Sequence, residues 1–94
     1  MFRGNRRDQE LALERGRAAD AATDVRERFR LWRLCPDTVL IECHLAYRQG
    51  RHTRYYADDR QQAREQFGVT AAVLIERGYD PDALAREADN PARR

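Results

Sequence analysis

Residues 35–50, CPDTVLIECHLAYRQG, decide the fold class of this chain. Val39, Ile41, Cys43, Leu45 and Tyr47 alternate with Leu40, Glu42, His44, Ala46 and Arg48, which is the period-two pattern of a strand. A hairpin over 38–56 turning at Gly50 would make the protein α+β. The ends of the segment read differently. Pro36 followed by Asp37 marks a helix start, because the first turn does not need the missing N–H and a carboxylate suits the positive end of the helix dipole. Arg48 and Gly50 mark a helix stop. Both ends therefore favour a helix, and the chain is assigned to the all-α class as a small bundle of four or five helices, with the hairpin as the alternative.

Upstream, residues 8–33 are rich in Ala, Leu, Glu, Gln and Arg and contain no proline and one glycine, Gly16. Propensity predicts a single long N-terminal helix. Leu11, Ala18, Val25 and Trp32 recur every seven residues, with Ala22 and Phe29 between them and Arg15 interrupting, so Val25, Phe29 and Trp32 are the expected core contacts. At 1.5 Å per residue such a helix measures roughly 39 Å and would overhang a chain of this size. Its lighter half, Leu11 to Ala22, is then a candidate partner surface.

Downstream, Thr53 is a candidate cap for a helix reaching Phe67, with Asp58 and Asp59 near its positive end. Gly68 would end that helix, and Thr70 would cap another, AAVLIER, closed by Gly78. The stretch QQAREQFGVTAAVLIER thus resembles the turn of a helix-turn-helix DNA-binding motif over some twenty residues. That family places a small residue four before the turn glycine, whereas Ala63 stands five before Gly68, and its second helix presents polar side chains where this one has Ala71 to Ile75. An ordinary helical corner is the preferred reading. A last helix follows from Asp80 as cap and Pro81 at the first helical position, ending at Asn90 and Pro91.

Ninety-four residues suffice for one domain over 1–94, with frayed ends at about 1–7 and 90–94. The 18 basic residues, all arginine, nearly balance 16 acidic ones, which suits an ion-paired surface better than a general polyanion binder. Two cysteines are too few for a disulfide framework, and no leader pattern opens the chain, so a cytoplasmic setting is expected. The longest apolar run, Ala71 to Ile75, is far short of a membrane span.

No stretch carries a catalytic or cofactor signature, so neither an enzyme nor a cofactor is expected. Cys35, Cys43, His44 and His52 do not have the spacing of a compact zinc site, and no metal is expected. Cys35, at a helix start, is the better candidate for a reactive thiol, while Cys43 reads as packing. The paired carboxylates Asp58 with Asp59 and Asp80 with Asp82 read as helix-start residues. The sharpest feature is YRQGRHTRYY at 47–56, which has no acidic residue. Arg48, Arg51, Arg54 and Tyr55, together with Arg26, Arg30 and Arg33 at i, i+4 and i+7, are the candidate binding residues. Tyrosine and arginine dominate protein-binding hot spots and also grip single-stranded nucleic acid. The expectation is a small non-catalytic regulatory or adaptor protein that binds a protein partner or itself, with a nucleic-acid-binding regulator as the alternative.

Overall fold

The computed structural model describes residues 6–50 and 60–90, which form five helices and, among the described residues, no strand: α1 (Arg6–Ala21), α2 (Val25–Arg33), α3 (Asp37–Arg48), α4 (Arg60–Glu76) and α5 (Pro81–Asp89). The deciding segment is helical. Pro36 takes the cap position with extended backbone, and the chain leaves α3 through Gly50 at φ 74°. The two rows of the strand-like alternation are both used, because Leu40, His44 and Tyr47 share the buried helical face. Alternation there came from a helix with apolar residues on more than one side.

The single long N-terminal helix is corrected to two, broken at Ala22 to Asp24. Asp24 caps α2, its side chain accepting the Glu27 N–H at 3.1 Å, and at the break the Ala19 carbonyl accepts the Ala22 N–H at 3.3 Å in a turn in place of a continuing helix. Two buried side chains add donors to the carbonyls at this break. The Gln66 side-chain amide donates to the Ala19 and Asp20 carbonyls at 2.8 and 3.2 Å, and Arg28 Nε donates to the Ala22 carbonyl at 2.8 Å. The seven-residue stripe loses its phase at the break. Trp32 is fully buried, but Leu11, Ala18 and Val25 are exposed, and α1 instead buries Gly16, Ala19 and Asp20. Gly16 lets α1 lie against α3: a Cβ there would stand 2.8 Å from Val39 Cγ1, closer than side chains approach.

The expected corner at Gly68 is also corrected, since α4 runs through it unbroken and there is no turn at that position. Thr70 does not cap. Its hydroxyl lies 2.9 Å from the Gln66 carbonyl one turn back and 2.8 Å from His44 Nδ1 on α3, so tertiary partners hold it inside the helix. The helix ends where Gly78 adopts φ 88°, with Tyr79 N–H reaching the Leu74 carbonyl at 3.0 Å and Gly78 N–H the Ile75 carbonyl at 3.0 Å. The expected start of α5 is present, with Asp80 accepting the Asp82 N–H at 3.0 Å and Pro81 opening the helix. The Thr53 cap lies outside the described residues.

The core joins Trp32, Leu40, Tyr47, Val73 and Leu74 with Ala19, Cys35, Ala63 and Val69. Polar groups thread through it. Gln66, which no solvent reaches, accepts from Trp32 Nε1 at 2.8 Å while donating to the end of α1, thereby joining α1, α2 and α4. The Tyr47 hydroxyl donates to Asp20 and its ring meets Trp32 edge-on at 6.0 Å. Buried Arg28 reaches Glu65 at 2.7 Å and Gln62. At the opposite end Arg77 closes the α2–α3 corner, donating to the Trp32, Arg33 and Cys35 carbonyls and to Asp37, which also accepts from Tyr79.

Candidate protein-binding surface

Of the residues singled out by sequence, the described ones do not form one patch. Arg26 is exposed, Arg30 is paired with Glu27 on its own helix, and Arg33 is held by Glu76 at 3.0 and 2.6 Å with its guanidinium 5.2 Å from the centre of the Phe29 ring. Arg48 is paired with Asp89 at 2.8 Å. Arg51, Arg54 and Tyr55 lie outside the described residues. Arg33 meets the C-terminal end of α4, whereas Arg48 lies beside Arg60 and Arg64 at the N-terminal end. The sixteen-residue offset along α4 separates these ends by about 24 Å, so the two basic groups do not merge.

The aromatic members are occupied from within. Tyr47 is buried with its hydroxyl on Asp20, and burial, followed by that bond, raises its pKa. Phe67 stacks on His44 with ring centres 4.7 Å apart, leaving 38% of the residue exposed. Around them Tyr47, Arg48, Gly50, Arg60, Arg64 and Phe67 line a shallow cleft of about 270 Å³. Among the described residues neither Arg60 nor Arg64 has an ion-pair partner.

The thiols are shielded. Cys35 is 2% exposed, and burial pushes its thiol up to about 11, outweighing the opposing pull of Arg77 and Arg15. The helix start does not make it a thiolate at neutral pH, because desolvation of the charge dominates. Burial likewise pushes Cys43 up to about 12. His44 is buried against Thr70, and His52 lies outside the described residues; among those described, no group of three His, Cys, Asp or Glu side chains could hold a metal ion.

A second cleft, of about 370 Å³, was not foreseen. It runs between α1 and the α2–α3 corner, lined by Leu11, Ala12, Leu34, Cys35 and Pro36 together with Asp8 and Arg15. All three buried residues of α1 fall in its last six positions, so its first ten residues cover little of the core. Leu11, Leu13 and Leu34 remain 41%, 54% and 50% exposed. The available signal was weak. Leu11 was visible in the N-terminal stripe, but Leu34 and Pro36 join it only because α2 breaks away from α1 and folds back.

Comparison with protein-family models, curated proteins and solved structures returns no match. Among the described residues no helix is long and apolar enough to cross a membrane.

Proposed function

We propose that this is a small non-catalytic regulatory or adaptor protein that binds a protein partner through the first half of α1 and the adjoining corner. The reading rests on one observation: Leu11, Ala12, Leu34 and Pro36 line an open cleft together with the Asp8 carboxylate and the Arg15 guanidinium. Apolar side chains set among charged ones are the composition of a protein-binding patch, and a groove of this kind suits the apolar face of a partner helix. The arginines earlier expected to dominate binding contribute at the edges, since Arg30, Arg33 and Arg48 are already paired. Affinity purification from the native host, with nuclease and without, tests the reading: a protein retained equally in both supports it, and loss of all bound protein on nuclease treatment contradicts it.

A second reading, nucleic-acid binding, draws on the Arg48, Arg60 and Arg64 cleft. It is the weaker one, because Arg48 is paired and the two aromatic rings lining the cleft already pack on neighbours. Phosphate contacts make affinity fall log-linearly with salt. Absence of retention on single- and double-stranded nucleic acid in low salt eliminates it.

A further inference from the structure

The cleft between the end of α3 and the first turns of α4 brings together Arg48, Arg60 and Arg64, with Tyr47, Gly50 and Phe67 completing its lining. Half of the lining residues are guanidiniums and none is acidic, in a chain whose 18 basic residues are nearly matched by 16 acidic ones. Arg60 and Arg64 stand one helical turn apart, an i, i+4 like-charge pair that weakens a helix. Their own helix does not offset the repulsion. The positions three and four residues from Arg64 are Arg60, Gln61, Phe67 and Gly68, and those after Arg60 are Ala63 and Arg64. Among the described residues neither has an ion-pair partner elsewhere.

Arg48 adds a third cation that is only partly used. It donates to Asp89 at 3.3 and 2.8 Å, with side chains 38% and 51% exposed, so the pair is solvated and weak. A guanidinium carries more N–H donors than one carboxylate occupies, and Arg48 can meet a second anion without releasing Asp89. Phe67 supplies an independent observation. His44 stacks on its ring with centres 4.7 Å apart and planes 14° from parallel, which fixes the ring as a wall of the cleft while leaving it partly exposed.

We propose that this cleft binds a small organic phosphate monoester, with the phosphate among Arg48, Arg60 and Arg64 and the organic group against Phe67. The donors select the anion. One guanidinium fork matches a carboxylate, whereas a phosphate dianion presents three terminal oxygens and can engage several forks at once. The apolar wall selects an ester over inorganic phosphate. Size selects a small ligand, because about 270 Å³ lies just under the roughly 300–1,000 Å³ of drug-sized sites. A nucleic-acid strand needs a groove that follows its backbone and rings on which successive bases stack, and this cleft offers one partly covered ring. The site is separate from the α1 cleft, and its variants leave Leu11 and Leu34 untouched.

Titration of the full chain by calorimetry and amide-detected NMR, in low-salt buffer free of phosphate, tests the proposal with phenyl phosphate as the probe. Phenyl phosphate is expected to bind saturably and more tightly than inorganic phosphate or benzoate. The amide signals of Gly50, Arg64 and Phe67 should move, and those of Leu11 and Leu34 should stay in place. Arg60→Gln and Arg64→Gln are each expected to weaken binding by about fivefold or more with unchanged circular dichroism. Arg7→Gln, at an exposed arginine outside the cleft, is expected to leave it unaltered. Absence of saturable binding at millimolar phenyl phosphate overturns the proposal, as does binding that survives both Arg60→Gln and Arg64→Gln. Equal affinity for benzoate overturns the ligand class. A single-stranded oligonucleotide that moves the same signals while phenyl phosphate does not assigns the cleft to nucleic acid instead.

Discussion

Gln66 illustrates how much of this fold hangs on single polar side chains. Its side chain accepts from Trp32 and donates to the end of α1, at a break where backbone carbonyls have lost helical donors. Replacing it by leucine keeps the volume but removes the acceptor of the Trp32 N–H and a donor to the Ala19 and Asp20 carbonyls. Urea denaturation should show Gln66→Leu destabilised by more than about 2 kcal/mol. His44 makes a second residue-scale prediction. Burial lowers its pKa below the ordinary 6.5, and Arg48 adds to the shift. The unfolded chain therefore takes up this proton first as pH falls, so stability is full above about pH 6.5 and declines from there toward the lower folded value. Glu27, Glu65, Glu76 and Asp37 have lowered values, so their contribution is lost only below the ordinary carboxylate range, and the window between pH 6.5 and 5 isolates the imidazole. Melting temperatures should fall across that window in the wild type and fall less in His44→Gln.

Among the elements, the sequence was legible where local chemistry is decisive and misleading where distant contacts decide. The boundaries of α3 and α5 follow from Pro36, Gly50, Asp80 and Pro81, all of which act within a turn of themselves. The break after α1 also had a local sign, the Asp24 and Glu27 spacing, but an alanine-rich background with no glycine or proline there concealed it. At Gly68 and Thr70 the local signs pointed to a corner, and His44 and Gln66 overrule them from across the core. The α1 cleft was only partly visible because Leu34 and Pro36 meet Leu11 through that same hidden break. Two glycine variants test the element-scale account. Gly16→Ala forces a Cβ against Val39 and should cost about 1–3 kcal/mol, much of it recovered by adding Val39→Ala. Gly68→Ala meets nothing within 4 Å among the described residues and should stabilise the chain by about 0.5–1 kcal/mol. Opposite signs in the same denaturation assay are the expected result.

At the scale of the whole molecule, the five described helices close around a core laced with hydrogen bonds, and five of the thirteen described arginines, Arg28, Arg30, Arg33, Arg48 and Arg77, pair with carboxylates. Near-neutral net charge and internal pairing leave apolar surface, rather than a broad electrostatic field, as the resource for recognition. Among the described residues that surface includes Leu11 and Leu34 at the α1 cleft, with Val25, Phe67 and Ile75 exposed elsewhere. The claim that the α1 cleft is the partner site is tested most directly by purifying the tagged wild type and the Leu11→Glu/Leu34→Glu double variant side by side from the native host, with nuclease present. A protein partner recovered in stoichiometric amount with the wild type, and lost with a variant whose circular dichroism and melting are unchanged, is the predicted result. Equal recovery with both chains would contradict it.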